Sequence, residues 1–209
     1  MMKNFVLILI IGILLAGCSS HATNGEEAKK IDTSYAENYA SNPQVTDDRT
    51  LLKAGDTVTD EKGEATVKEL AFPDETYEMG SVKLHIKDVK RIHLKPDYSL
   101  IDYFHMLTHE EEFDFVKLFV EIENTSNEQL NYAPIAMIET STGETIDWEK
   151  DIYLEDLNGV IEGNETKSGN LGFILDSTED LEWIEITTSD VYDKDQNKIK
   201  GAEKIKIEL

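Results

Sequence analysis

Cysteine is almost absent from this chain of 209 residues, which contains a single one at Cys18. One thiol cannot form an intrachain disulfide, and it cannot supply the several thiolates of a cysteine metal site. A domain folded from this chain must therefore be stabilised by its core alone. The length permits this, because about 150 residues bury close to 70% of the surface that their unfolded chain exposes.

Arginine is also scarce, occurring only at Arg49 and Arg91, and acidic residues outnumber basic ones by 43 to 20. The resulting net charge of −23 argues against nucleic-acid binding, which depends on neutralising phosphates with Lys and Arg. It argues equally against adsorption to anionic lipid, for which polybasic segments are used. We expect an acidic, well-solvated surface without the bidentate arginine contacts that recognise phosphate.

Catalytic signatures are missing as well. The chain has no Gly-x-Ser-x-Gly turn of a serine hydrolase and no glycine-rich phosphate loop. Pairs of carboxylates are common, but 43 acidic residues produce such pairs by chance, so they do not indicate a glycosidase. The sequence therefore predicts a protein that is not an enzyme and that uses no cofactor.

The longest apolar stretch lies at the N-terminus, over residues 5–15, and is interrupted only by Gly12. It is shorter than the about 20 residues that span a bilayer core. Lys3 precedes it, and the small residues Ala16 and Gly17 follow it. A basic start, a short apolar run and small residues at its end are typical of a secretory signal peptide, here residues 1–17.

Leu15-Ala16-Gly17-Cys18 resembles the lipobox of bacterial lipoproteins. The resemblance implies cleavage before Cys18, a diacylglycerol lipid on its sulfur and, in the usual case, a further acyl chain such as palmitate on the new amino terminus. Two or more acyl chains hold a protein durably on a membrane. With the Lys-rich composition, this favours anchoring on the outer face of the cytoplasmic membrane of a Gram-positive cell.

Residues 18–54 are polar and contain few large apolar side chains. Such a segment buries too little surface to offset its ordering entropy, so we expect a flexible tether with an end-to-end distance of roughly 30 Å. The folded domain is then predicted over residues 55–209.

Alternation of apolar and polar residues dominates this predicted domain. Val116, Leu118, Val120 and Ile122 alternate with polar or aromatic neighbours, and similar patterns recur over 81–94, 129–139, 171–175, 181–188 and 199–207. Short alternating segments separated by turn residues predict antiparallel strands. The fold class is therefore all-β, an antiparallel β-sandwich, since each half-apolar sheet needs a second sheet to cover it.

The strand Val116–Asn124 is followed by Thr125-Ser126, Pro134, Thr142-Gly143-Glu144, Gly163, Gly169 and Phe173. Together these residues resemble the DUF4352 group of Gram-positive lipoproteins, which have a telokin-like, immunoglobulin-like β-sandwich. The resemblance covers roughly residues 82–186, although residues 95–114 are longer than in that pattern and no proline precedes Gly163. It implies an immunoglobulin-like fold at the extracellular surface and carries no agreed activity.

His105 and His109 lie four residues apart, ahead of Glu110–Glu112. On a helix this spacing brings two imidazoles to one face, where they could share a metal with Glu112. The zinc-protease pattern is excluded because Met106, not Glu, follows the first histidine. The alternative is a short helix that packs its apolar stripe on the sandwich and leaves its histidines exposed.

The leading functional hypothesis is a non-catalytic binding or accessory module, anchored to the membrane, whose partner is an envelope protein or other envelope component. A partner-binding face is expected in the long segment 95–114, because loops of this length are often functional. It would combine Leu100, Phe104 and Leu107 with Glu110 and Glu111. The alternative function is a metal- or small-ligand-binding lipoprotein that uses His105 and His109.

Overall fold

Antiparallel strands are the main regular structure of the chain from Ile31 to Leu209, the residues that this computed structural model describes. The predicted signal peptide and Cys18 lie outside the described residues. The strands are β1 (Thr57–Asp60), β2 (Gly63–Ala71), β3 (Glu75–Met79), β4 (Val82–Pro96), β5 (Phe113–Asn124), β6 (Leu130–Tyr132), β7 (Met137–Thr140), β8 (Thr145–Asp147), β9 (Gly159–Ile161), β10 (Thr166–Ile174), β11 (Trp183–Thr187), β12 (Val191–Asp193), β13 (Lys198–Lys200) and β14 (Lys204–Glu208). One short helix, α1, covers Ile101–Phe104, and 3-10 turns cover Ser34–Ala36, Tyr98–Leu100 and Trp148–Lys150.

The longest strands, β4 and β5, form the centre of a six-stranded sheet in the order β1-β2-β4-β5-β10, and β3 pairs with β4 next to β2. The register places Ile86 opposite Val120 and Val89 opposite Leu118. A β-bulge between Ile86 and Asp88 inserts one extra residue. Because of this extra residue, Ile92 and Leu94 lie on one face of the sheet, while Val89 shares the other face with Ile86.

Two four-stranded sheets cover that face, in the orders β14-β11-β7-β8 and β13-β12-β6-β9. Their apolar residues and those of β4, β5 and β10 share one buried cluster, so the architecture is the predicted antiparallel β-sandwich. Members of this main core include Val82, Leu84, Val116, Leu118, Tyr132, Ile138, Ile161, Phe173, Ile184, Ile186, Val191 and Ile205.

The opposite face of the six-stranded sheet is buried too, beneath a second apolar cluster. Here Ile92 and Phe115 of the sheet pack with Val45, Phe104 and Tyr153, which come from three separate segments. The cover lies so close to β10 that a Cβ on Gly172 would come within 2.7 Å of the Tyr153 ring. Position 172 therefore requires glycine because the Tyr153 ring leaves no space for a side chain, and not because the chain turns there.

The predicted tether is wrong over its described part. Residues 31–54, which we call the strap, pack on the outer face of the six-stranded sheet, and Val45 and Leu51 are each 1% exposed. Accordingly, the compact unit that contains the sandwich begins at Ile31 and not at residue 55. Composition alone gave the wrong prediction because the strap is stabilised by the sheet and not by its own apolar content.

Two predicted strands are each divided in the structure. Residues 129–139 form β6 and β7, which belong to different small sheets, with Pro134 between them. A proline lacks the N–H that a continuous strand would use. Residues 199–207 likewise divide into β13 and β14, on either side of Gly201. Among the described residues, no helix has the length and apolar character needed to span a membrane.

Candidate functional site beneath the N-terminal strap

Two buried lysines lie side by side under the strap. Lys90 of β4 is in register with Lys117 of β5, and their side chains are 1% and 2% exposed. Both ammonium groups have lost their water, and two like charges at this spacing repel each other strongly in a low-dielectric interior. Such a pair is stable only if carboxylates lie beside it.

Asp48 of the strap provides the carboxylate that joins the two lysines. Its Oδ2 accepts a hydrogen bond from Lys90 Nζ at 2.7 Å and lies 3.3 Å from Lys117 Nζ. The main-chain oxygen of Asp48 accepts a second hydrogen bond from Lys90 Nζ at 2.9 Å. Asp88 completes the cluster, because its Oδ1 accepts from Lys117 Nζ at 2.7 Å. Two positive and two negative charges therefore balance inside the domain, and we call these four residues the charge cluster.

The pKa values of Asp48 and Lys117 indicate that attraction exceeds the cost of burial. Burial by itself would raise the pKa of Asp48, but the charges of Lys117 and Lys90 outweigh it and lower that pKa well below the ordinary value. Burial would lower the pKa of Lys117, whereas Asp48 and Asp88 raise it. Both groups are therefore ionised at neutral pH, and the strap is fixed by charge-assisted hydrogen bonds.

Tyr35 adds an aromatic contact at the edge of the charge cluster. Its hydroxyl donates to Oδ2 of Asp88, and its ring centroid lies 4.9 Å from that of Phe119. Burial, followed by the charge of Asp88, raises the pKa of Tyr35, so the phenol stays protonated and remains a donor.

Two further basic residues hold the strap in its shape. Arg49 Nη1 donates to the main-chain oxygens of Ala36 and Tyr39 at 3.1 and 3.2 Å, which closes the strap on itself. Lys62, in the turn between β1 and β2, donates from Nζ to Ser41 Oγ at 2.7 Å. The strap is thus attached both to the face of the sheet and to its edge.

The edge of β10 is protected by two carboxylates from the loop after β8. Glu155 Oε2 accepts from the main-chain N–H of Asn170 at 2.8 Å, and Asp151 Oδ1 accepts from that of Gly172 at 2.8 Å. An edge strand with unpaired N–H groups invites pairing with another chain, and these contacts prevent it. Glu155 also accepts from the Tyr39 hydroxyl, so the same residue links the loop to the strap.

A cleft of about 490 Å³ opens between the strap and the sheet, next to the charge cluster. One wall is formed by strap residues from Tyr35 to Pro43, and the other by β5, β10 and the loop that carries Glu155. The lining residues are Tyr35, Asn38, Tyr39, Ala40, Ser41, Asn42, Pro43, Phe119, Glu155 and Ser168.

Glu112, one of the predicted metal ligands, does not face His105 or His109. Its Oε2 lies 4.0 Å from Nε2 of His93 instead. His93 belongs to a different ionic group, in which its Nδ1 lies 2.7 Å from Oδ1 of the buried Asp114.

His105 and His109 are both exposed, and their ring centroids lie 6.5 Å apart. Across Ile31–Leu209, no group of three or more His, Cys, Asp or Glu side chains is arranged to hold a metal ion. The geometry therefore gives the alternative metal-binding function no support.

The predicted partner-binding stripe is wrong in its apolar part. Phe104 is 1% exposed and packs against Phe113, with ring centroids 5.1 Å apart, while Leu100 and Leu107 pack on the same second core. The stripe covers the sheet and is not free for a partner. Glu110 and Glu111 are exposed and extend away from this packing. The alternative of a short helix packed on the sandwich with exposed histidines is confirmed.

The charge cluster is not predicted from the sequence, because the alternation along Val116–Ile122 indicates only that one face of this strand is apolar. A signal was present: Phe113, Phe115 and Phe119 occupy the same face of β5 as Lys117. Three aromatic residues at alternate positions indicate a face that is covered. They do not identify the segment that covers it.

The chain was compared with known proteins, and no protein-family profile matches it. It is 49% identical to the uncharacterized protein YdhF of Bacillus subtilis, in an alignment of 236 positions that covers 100% of both chains. The chain belongs to the YdhF family. A second relative, an SPbeta prophage-derived uncharacterized lipoprotein, YonS, is 26% identical over 161 residues, or 75% of this chain and 72% of that protein.

Among solved structures, a functionally unknown protein from Listeria monocytogenes is similar with a TM-score of 0.51 and 15% sequence identity. The match covers 70% of this chain and 88% of that one. At this identity the similarity concerns the fold of this chain alone.

We predict that Asp48→Asn lowers the free energy of unfolding by about 3–5 kcal/mol, because it leaves Lys90 and Lys117 with one carboxylate between them. Urea denaturation of the purified protein measures this change. The matched control is Asp47→Asn, since Asp47 pairs with the partly exposed Arg49, and an exposed pair contributes only about 1 kcal/mol or less.

A double variant separates an unpaired charge from a lost contact. Lys90→Met removes the ammonium group that Asp48→Asn leaves without its carboxylate, so Asp48→Asn with Lys90→Met should be more stable than Asp48→Asn alone. Equal losses in Asp47→Asn and Asp48→Asn would contradict a structural role for the charge cluster.

We also predict that the charge cluster makes stability sensitive to acid. The pKa of Asp48 is lower in the folded state than in the unfolded state, so its contribution is present above the ordinary aspartate value of about 3.9 and is lost as the pH falls below it. Urea midpoints at pH 7, 4 and 3 should fall more steeply for the wild type than for Asp48→Asn. Parallel losses would show that Asp48 is not the group that titrates.

Proposed function

We propose that this chain is a lipid-anchored surface protein whose β-sandwich is a non-catalytic binding module for a protein or another component of the cell envelope. The anchor would be the lipid on Cys18, on the outer face of the cytoplasmic membrane. The lipobox residues Leu15–Cys18 and the similarity to the YonS lipoprotein support this location.

The observation that carries the proposal is the fixed strap. Because residues 31–54 belong to the folded domain, only residues 19–30 separate it from Cys18. A chain of that length reaches at most about 40 Å when fully extended. The domain would therefore lie within reach of envelope components near the membrane.

We further propose that the domain shares the immunoglobulin-like sandwich of the DUF4352 lipoproteins. Two residues of the shared pattern have structural roles that explain their identity. The Asn124 side chain is 0% exposed, and its Nδ2 donates to Glu128 O at 2.7 Å and to Glu162 O at 3.0 Å. A Cβ on Gly163 would lie 2.3 Å from Asn127 O. Both residues close the end of the sandwich where β5 and β10 meet.

Labelling in a Gram-positive host tests the anchor. The full-length chain should incorporate radioactive palmitate and sediment with membranes, and Cys18→Ala should lose the label. Wild-type protein recovered without label and outside the membrane fraction would contradict the anchored location.

Photo-crosslinking on intact cells tests the binding role separately. A benzoylphenylalanine would be introduced at the exposed positions Ser168, Met106 or Ile199, which lie in different parts of the domain. A binding module should give a discrete adduct from one position and not from all three. Absence of any adduct at all three positions would count against binding to an envelope component.

A further inference from the structure

The cleft between the strap and the sheet, which we call the strap cleft, is lined by two kinds of polar group. Some already form hydrogen bonds within the domain, and others do not. Glu155 is fully engaged: it accepts from the Tyr39 hydroxyl, from Asn42 Nδ2 at 3.0 Å and from the main-chain N–H of Asn170. By contrast, within the described chain, no hydrogen bond is made by the side chain of Asn38 or by the hydroxyl of Ser168. The cleft thus offers free groups that both donate and accept hydrogen bonds.

A third unused group lies directly behind the wall of the cleft. Asn170 is 2% exposed, and its Oδ1 has no hydrogen-bond partner within Ile31–Leu209. Its main-chain N–H contacts Glu155 and its side chain interacts with the Tyr39 hydroxyl, so it adjoins two lining residues. Buried polar atoms are almost always paired, which makes an unpaired acceptor at this position unusual.

The charges around the cleft restrict what it can bind. Its lining contains no Lys or Arg, and the chain as a whole carries a net charge of −23. A phosphate or carboxylate would meet no counter-charge there. The basic residues that adjoin the lining are already engaged: Lys62 and Arg49 hold the strap, and Lys117, beside the Phe119 ring, is paired with Asp88. Glu155, the single carboxylate in the lining, already accepts three hydrogen bonds, so it would add little to the binding of a cation.

The remaining lining groups suit an uncharged polyhydroxyl compound. Aromatic rings of Tyr35 and Tyr39 and the ring of Pro43 lie beside the hydroxyls and amides of Ser41, Asn38 and Ser168. A sugar ring has an apolar face of C–H groups and hydroxyls that donate and accept, so it matches both kinds of lining. The cleft volume of about 490 Å³ is within the range of about 300–1,000 Å³ for ligand pockets.

We propose that the strap cleft binds a short stretch of uncharged carbohydrate. This inference rests on the proposed binding role and names the class of envelope component that the domain recognises. The strap forms one wall of the cleft, so carbohydrate binding requires the strap to be docked.

The test uses full-length lipidated protein in a polyoxyethylene detergent, which carries no sugar. Fluorescent chitotetraose and maltotetraose are titrated as neutral probes, and a hyaluronan tetrasaccharide serves as the anionic comparison. We expect saturable one-to-one binding of at least one neutral probe with a Kd below about 1 mM, and at least tenfold weaker binding of the anionic one.

Two variants locate the site. Ser168→Trp fills the cleft from β10 and should abolish binding, and Asn38→Ala should raise Kd by about tenfold through the loss of one hydrogen bond. The matched control is Thr166→Trp, which places the same side chain two residues away on the same face of β10 but outside the lining. Unchanged thermal midpoints show that each variant is folded.

Absence of saturable binding to both neutral probes would overturn the inference, as would binding that Ser168→Trp leaves intact or a preference for hyaluronan. These failures are distinguishable from failure of the binding role itself. If no sugar binds but the crosslinker at position 168 still gives a discrete adduct on cells, the cleft recognises something other than carbohydrate.

Discussion

The contact between Asp48 and the paired lysines of β4 and β5 is the constraint on which the outer half of the domain depends. Two ammonium groups directly opposite each other in a sheet, both almost fully buried, require compensating carboxylates. Asp88 lies on the sheet itself and compensates one of them. The second carboxylate comes from the strap, so the sheet is electrostatically complete only when the strap is docked.

This requirement explains why the six-stranded sheet has two buried faces. One face packs on the two smaller sheets, as in any β-sandwich, and the other is covered by the strap, α1 and the loop that begins at Asp151. The same cover protects the free edge of β10 through Glu155 and Asp151. The same packed layer therefore completes the charge cluster, protects the edge of β10 and forms one wall of the cleft.

The sequence predicted the sandwich well because alternation along Val116–Ile122 and 81–94 reports directly on a buried face. It could not predict the strap in the same way. Asp48 and Lys90 are 42 residues apart, and neither lies in a local sequence pattern that identifies its partner. Local composition also failed at residues 129–139 and 199–207, where each alternating segment divides between two sheets. The prediction that Phe104 belongs to a partner-binding face was wrong because an apolar stripe has the same sequence pattern whether it covers its own sheet or binds another protein.

Amide hydrogen exchange of the full-length protein, followed by mass spectrometry, tests the docked strap most directly. Peptides that cover residues 44–52 should exchange nearly as slowly as peptides from β4 and β5, because the charge cluster and the second core hold them in the same cooperative unit. Exchange of these peptides at the rate of an unfolded chain, while β4 and β5 stay protected, would contradict a strap that is part of the fold.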